Sequence, residues 1–387
     1  MESSKVKIGI CFGGYNPMHQ GHLDCIMKAK KECDFVFIVV CGYDNEPRAI
    51  TNLDTKFDII NKFVSKYMKD PDMPQTVYCI GINDTLLGID ESESEENWRI
   101  WLTEVFRKIN ELCPMYGIGG WGCSIRATTK NVRFYVGEKH YKEAINKRGI
   151  KCDLVGIDKN GNRMNDISAT AIRQNPVKYW NKIIPPFRPL LTKKILITGT
   201  ASEGKSTLVR DLALYFDTTH VEEEGKRILV DQKLKEKDLD RDNYLMFMND
   251  QYYSTVSAMN DPQNKGFIFS DTDYLVTLMY AKSYADIPDF KISVDDAKEI
   301  EEYYLQSMHK LNTWDKIFLL TPHGEFVDDG IRYMGQSSLE ERFKNYYILI
   351  ELLRKYDLFD KVEFLNGTYY ENFITIRDYV NKNIIRK

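Results

Sequence analysis

No cysteine lies beyond Cys152 in a chain of 387 residues, and no two of its eight cysteines form a C-x-x-C pair. The spacing that announces a zinc site or a dithiol redox centre is therefore missing. A disulfide framework would not be confined to one part of a long chain whose first residues, Met1–Lys5, lack the shape of a signal peptide. No run reaches the roughly 18 apolar residues of a membrane-spanning helix. Positive charge is not in excess either: 53 Lys and Arg face 57 Asp and Glu, a formal net charge of −4. That balance excludes the broad basic footprint of a dedicated duplex-DNA binder. What is present, 43% apolar and 28% charged residues, is the composition of a soluble globular protein and excludes disorder. We expect a cytoplasmic protein without nucleic-acid or membrane partners.

The length suggests two or three domains. Ile184-Pro185-Pro186-Phe187-Arg188-Pro189 is rich in proline, which stops a helix and favours an extended connector. On each side a strand, a glycine turn and a helix follow in order. Strands are predicted at Val6–Phe12, Phe35–Cys41, Thr76–Ile80, Val132–Val136 and Lys151–Val155, and helices at His22–Cys33 and Glu96–Leu112. Beyond the prolines come strands at Lys194–Thr198, Gly266–Ser270 and Lys316–Leu320. Helices follow at Ser206–Phe216, Asp242–Asn260, Val294–Leu311 and Ser338–Tyr356. These patterns predict an α/β protein of two doubly wound parallel-sheet domains, residues 1–184 and 192–387, joined by a linker at 185–191.

Gly13-Gly14-Tyr15-Asn16-Pro17-Met18-His19-Gln20-Gly21-His22 follows the first strand directly. Glycines let backbone N–H groups approach a polyphosphate, and the helix that follows opens with a positive dipole end. Only six histidines exist, and two stand here three residues apart, where both imidazoles can face the same phosphates. The segment resembles the G-x-F/Y-x-P-x-H-x-G-H motif of the nucleotidyltransferase superfamily. A second match, Ile167-Ser168-Ala169-Thr170-Ala171-Ile172-Arg173, resembles that family's I-S-x-T-x-I-R. The resemblance implies a Rossmann-like domain binding ATP through Gly13, Gly14, Tyr15, His19, Gly21, His22, Ser168, Thr170 and Arg173, with His19, His22 and Arg173 catalytic. Class I aminoacyl-tRNA synthetases share the histidine motif but carry a Lys-rich loop where this chain has Ile167–Arg173.

Asn97-Trp98-Arg99-Ile100-Trp101-Leu102-Thr103-Glu104-Val105 resembles the tryptophan segment of nicotinamide mononucleotide (NMN) adenylyltransferases of the archaeal and NadR type. The resemblance implies that Trp101, or else Trp98, stacks on the cationic nicotinamide ring of NMN. A glycine-rich insertion, Tyr116–Thr129, has no assigned role.

Gly199-Thr200-Ala201-Ser202-Glu203-Gly204-Lys205-Ser206-Thr207 is a complete P-loop between a predicted strand and helix. Its backbone would cradle a second ATP, Lys205 reach the transferred phosphoryl group, and Ser206 ligate Mg²⁺. Asp271 is the first choice for the acidic partner of Mg²⁺, with Asp273 the alternative. Glu223 lies where an acid could bind ribose hydroxyls or take a proton, and Arg332 and Arg342 would close over the phosphates. These segments resemble the ribosylnicotinamide kinase domain of NadR-type proteins, whose patterns E-Y-G-R, D-T-D and V-D-D-G-L-R match Glu223, Asp271, Asp273, Asp328, Asp329 and Arg332. Lys226 stands in place of the Arg of the first pattern. The resemblance covers about residues 6 to 385 and adds Asp273 as a riboside-binding residue. Five residues before the first strand leave no room for the helix-turn-helix domain that some members carry, so repression is not expected.

The implied function is bifunctional NAD synthesis. Nicotinamide riboside is phosphorylated to NMN by MgATP in the second domain, and NMN is adenylylated by ATP to NAD and pyrophosphate in the first. The alternatives are a fused pantetheine-phosphate adenylyltransferase and dephospho-coenzyme A kinase, or a non-catalytic nucleotide sensor. A homo-oligomer is compatible with the sequence, which does not specify one.

Overall fold

The computed structural model describes residues 6–69, 72, 74–90, 92–115, 125–158, 164, 167–285, 287–328 and 333–386. The chain divides into two compact units, Met1–Leu191 and Thr192–Lys387. Among the described residues, no helix is long and apolar enough to cross a membrane.

The first unit holds β1 (Ile8–Gly13), α1 (Gln20–Glu32), β2 (Phe35–Gly42), α2 (Leu53–Tyr67) and β3 (Val77–Asn83). After these come α3 (Glu95–Met115), β4 (Val132–Val136), α4 (Lys139–Lys147), β5 (Lys151–Leu154) and α5 (Ala169–Gln174). Its strands are all parallel, in the order β3-β2-β1-β4-β5. Side chains alternate between the two faces of the sheet, and both faces are covered. Ile8, Ile10, Phe37, Val39, Tyr78, Ile80 and Phe134 share a core with α3 and Ile145 of α4. Cys11, Val36, Ile38, Val40, Val77 and Tyr135 pack on the other face, against α1 and α2. β1 is thus buried on both sides rather than alternating buried and exposed. Gly9 allows a close contact, since a Cβ there would stand 3.1 Å from that of Ala29 on α1.

The proline-rich segment is not extended. Pro185–Phe187 and Pro189–Leu191 form two short 3₁₀ turns, a conformation that proline's fixed φ also suits. Phe187 is fully buried in the first unit's core, beside Trp180, Ile183 and Ile184.

The second unit runs β6 (Lys193–Thr198), α6 (Lys205–Phe216), β7 (His220–Val221), α7 (Glu224–Gln232), α8 (Arg241–Asn260), β8 (Phe267–Asp271) and α9 (Tyr274–Tyr284). It continues with α10 (Val294–Tyr303), β9 (Lys316–Leu320), α11 (Leu339–Lys355), β10 (Val362–Leu365) and α12 (Tyr369–Val380). The sheet is again all parallel, in the order β10-β9-β6-β8-β7. Its largest core joins α7 to α11 against Leu196, Ile317 and Leu319. The helix predicted over Val294–Leu311 is α-helical only to Tyr303; Tyr304–Met308 widens into a π-helical turn.

Candidate functional site

In the first unit the strand order reverses at β1 and β4, the place where open parallel sheets take ligands. A cleft of about 500 Å³ lies there. It is lined by all nine residues expected to hold ATP: Gly13, Gly14, Tyr15, His19, Gly21, His22, Ser168, Thr170 and Arg173.

The two histidines are fixed by the helix they open. His19 is the N-cap of α1, and its Nδ1 accepts from the Gly21 N–H at 3.2 Å. His22 Nδ1 accepts from the His19 N–H at 3.2 Å. Each ring thus uses its Nδ1 lone pair on the backbone, so Nε2 carries the proton and is the donor. The rings lie 3.9 Å apart between centroids. Burial, reinforced by His19, holds the His22 imidazole well below its ordinary pKa, so it is neutral at pH 7. Gly21 leaves room for the fold-back, because a Cβ there would meet His19 Cε1 at 3.1 Å.

Ser168 caps α5 by accepting from the Ala171 N–H at 3.1 Å. Arg173 donates from Nη1 to the Asn16 carbonyl at 2.5 Å and from Nη2 to Thr170 Oγ1 at 3.1 Å. Arg173, expected on the ATP phosphates, is thus tied to the loop before α1 and to Thr170. Behind the loop, His19 pairs with Ile183 in an antiparallel bridge, and the Ile184 N–H donates to the Met18 carbonyl.

The two tryptophans are not brought to this cleft. Trp98 and Trp101 are 8% and 6% exposed, on the buried stripe of α3. The three-residue spacing of the two tryptophans is that of a core-facing helix. Phe12 does line the cleft and packs on Trp101 at 5.0 Å, and on Tyr141, another lining residue, at 5.0 Å. Phe12, Gly137 and Tyr141 are wall residues that sequence reasoning missed. The glycine-rich insertion lies outside the described residues over 116–124, and its Ile125 and Ala127 are core residues. Cys11 and Cys25 also line the cleft, but burial raises both thiols, Cys25 to about 12, which makes them poor nucleophiles.

Near the ends of β2 and β3, Asp84 is buried and pushed up to about 7 by burial, an effect Lys56 partly offsets. Between its ordinary 3.8 and about 7 the folded chain keeps a proton that the unfolded chain has lost, so stability falls as pH rises through that window. Asp84→Asn is expected to stabilise the first unit by about 2 kcal/mol at pH 8 and by less at pH 5. Melting temperatures at the two pH values check this; an equal gain at both would show that the carboxyl does not titrate in that range.

In the second unit the P-loop joins β6 to α6. Gly199 has φ 148° and passes so close to β9 that a Cβ would stand 2.9 Å from the Leu320 carbonyl oxygen. Ser202 and Gly204 have φ 64° and 78°, and this winding turns successive N–H groups inward. Lys205 is buried, and its Nζ donates to the Thr200 carbonyl at 2.6 Å. Ser206 and Thr207 open α6. Asp271 ends β8 beside Ile197 of β6, with 1% exposure. A hydroxyl and one carboxylate are hard oxygen donors of the kind Mg²⁺ takes together with substrate phosphates. Among the described residues, no group of three or more His, Cys, Asp or Glu could hold a metal.

Asp273 does not line the pocket that holds Glu223. Its carboxylate caps α9 at the Leu275 and Val276 N–H groups and accepts from Asn312 at 3.1 Å. Burial, tempered by these bonds, places its pKa at about 6. Arg342 is not in a lid: it is buried on α11, 3.0 Å from Glu203. Its partner lies far upstream, so nothing local to the sequence marked the pairing. Asp329 and Arg332 lie outside the described residues.

Glu223 opens α7 and lines a small pocket of about 40 Å³ with Glu236, Tyr244, Phe247, Gln251, Tyr280 and Tyr284. Gln251 Oε1 accepts from the Glu224 N–H, while its buried Nε2, like the Tyr244 hydroxyl, has no hydrogen-bond partner among the described residues. Buried donors without partners cost stability, which a ligand's acceptors would recover. Apart from Glu223, sequence reasoning found none of these residues.

The fold and sites define a class: a nucleotidyltransferase-like unit followed by a P-loop unit, in one chain. Residues 10–175 match the cytidylyltransferase-like family and residues 194–369 match an AAA domain. The trifunctional NAD biosynthesis/regulator protein NadR of Salmonella typhimurium is 25% identical over 380 residues, covering 93% of this chain and 78% of the relative. The Escherichia coli protein of the same description is 25% identical over 378 residues, with 93% and 79% covered. A NadR crystal structure in complex with NR superposes with a TM-score of 0.78 and 27% identity, over 99% of this chain and 98% of that one. A second, with NAD and AMP-PNP, gives a TM-score of 0.77 and 26% identity, over 99% and 98%. The chain is similar to NadR proteins across both of its units.

Proposed function

We propose that this protein makes NAD in two steps: phosphorylation of nicotinamide riboside in the second unit and adenylylation of the resulting NMN in the first. The observation that carries the reading is one cleft that gathers all nine expected residues, in the same chain as a complete P-loop.

In the first unit an oxygen of the NMN phosphate attacks the α-phosphorus of ATP, and the bond to the β-phosphate breaks to release pyrophosphate. The cleft's task is to hold the phosphates in line. Nε2–H of His19 and His22 and the Arg173 guanidinium donate to the charge that grows on the leaving group. Neutral imidazoles suffice, since they act as fixed donors.

In the second unit the riboside 5′-OH attacks the γ-phosphorus of ATP, ADP leaves, and Glu223 takes the hydroxyl proton. Ser206 and Asp271 would hold Mg²⁺, which when bound neutralises phosphate charge. The pocket beside Glu223 would take the riboside, opening from its small free volume, with Gln251 and Tyr244 supplying donors. Tyr244, Phe247, Tyr280 and Tyr284 supply aromatic faces for a cationic ring. We place the reactions in the cytoplasm, where ATP is available.

The test is to incubate the pure protein with MgATP and either NMN or nicotinamide riboside, following products by chromatography. NAD from NMN and NMN from the riboside are expected. Absence of the first product refutes the first-unit assignment, and absence of the second refutes the kinase.

A further inference from the structure

The P-loop carries a carboxylate of its own. Glu203 stands immediately before Gly204 and Lys205, in the stretch of backbone whose N–H groups would face a triphosphate. Its side chain is fully enclosed, so its charge is not dispersed into solvent. An uncompensated anion at that position would repel the ligand that the loop is shaped to receive.

The compensation is specific. Glu203 Oε1 accepts from Thr200 Oγ1 at 3.2 Å and from Arg342 Nη1 at 3.0 Å. Oε2 accepts from the His323 N–H at 3.0 Å. Arg342 also donates to the carbonyls of His323 at 3.0 Å and Gly324 at 2.7 Å. One turn of chain away, the Val327 N–H donates to Ser202 Oγ at 3.2 Å. The P-loop, the segment leaving β9 and the first turn of α11 therefore meet at one buried carboxylate, paired with Arg342 and approached by His323 Nδ1 at 3.1 Å.

We propose that Glu203 and Arg342 are a positioning pair for the kinase reaction, in which Arg342 neutralises the P-loop carboxylate and lets the loop receive MgATP. The proposal rests on the kinase reading of this unit. Arg342 acts through Glu203, with no contact to phosphate. That separates it from an arginine that binds the transferred group directly, because the need for Arg342 then disappears once the carboxylate is gone.

A double-mutant cycle on the full chain decides this, with KM for MgATP and kcat measured for riboside phosphorylation. Arg342→Met leaves the buried carboxylate without its guanidinium, and KM for MgATP is expected to rise at least about tenfold with kcat within about threefold. Glu203→Gln is expected to match the wild type or lower KM. The double variant Glu203→Gln/Arg342→Met is expected to return within about threefold of the wild type. A double variant as impaired as Arg342→Met, or a wild-type KM in Arg342→Met, overturns the proposal. So does a tenfold rise in Glu203→Gln, which decides alone if Arg342→Met does not fold. If the wild-type protein phosphorylates no riboside, the kinase reading fails, and MgADP affinity by calorimetry across the same variants still decides the pair.

Discussion

Lys205→Ala is expected to lower kcat/KM for riboside phosphorylation by about a thousandfold while leaving NMN adenylylation within about twofold of the wild type. The Lys205 ammonium is buried and donates to the Thr200 carbonyl inside its own loop. An arriving triphosphate offers it stronger, charged acceptors. The bond to Thr200 is therefore a parking contact, and its loss should cost about 1 kcal/mol of stability, too little to unfold the unit. Steady-state assays of both half-reactions on one sample make the comparison. If Lys205→Ala abolished adenylylation too in a folded protein, the assignment of separate sites would be wrong.

His19→Ala is expected to do the reverse, slowing NAD formation from NMN by about two to three orders of magnitude and sparing the kinase. This change removes two things at once: the Nε2–H donor, and the N-cap of α1, worth about 1 kcal/mol. His19→Asn separates them, because asparagine caps a helix well but cannot place a donor where the imidazole Nε2 lies. It should keep the melting temperature close to wild type and still be slow. A fast His19→Asn enzyme would mean that the histidine only caps. The shift of His22 adds a pH expectation. With its pKa well below the ordinary value, it is neutral on both sides of pH 6.5, so the rate should not track an ordinary histidine titration there. A fall in rate with rising pH through that point would show that an imidazolium is required.

The parts of these sites made by contiguous backbone were readable without coordinates. A phosphate cradle is a glycine turn at a helix N-terminus, so its residues are neighbours in sequence, as Gly13 to His22 and Gly199 to Thr207 are. Sites assembled by packing were not readable. Gln251 and Tyr244 on α8 meet Glu236 and Tyr280 only through the tertiary fold. Helix α9 is buried nearly all round, so it shows no apolar stripe to set it off from a buried strand. β7 is two residues long, too short for any periodicity. The buried positions of the tryptophans and Arg342 were not legible, for a common reason. An indole at helical spacing and an arginine near a phosphate motif each fit a ligand and a core equally well until their neighbours are known. Two helices were marked and passed over: α2 starts at the cap Asn52, and α12 at Thr368 with Glu371 completing a capping box.

The short turns before residue 192 set a boundary for any attempt to separate the two activities. Ile183 and Ile184 hold the backbone of the histidine loop from behind, and Phe187 fills the core beneath them. A fragment ending at residue 175, where the cytidylyltransferase-like match ends, would keep every cleft-lining side chain yet lose the brace that sets their spacing. The first unit, kept whole, therefore extends to Leu191. Recombining the units by exchange at the prolines would disturb the histidine loop of the first.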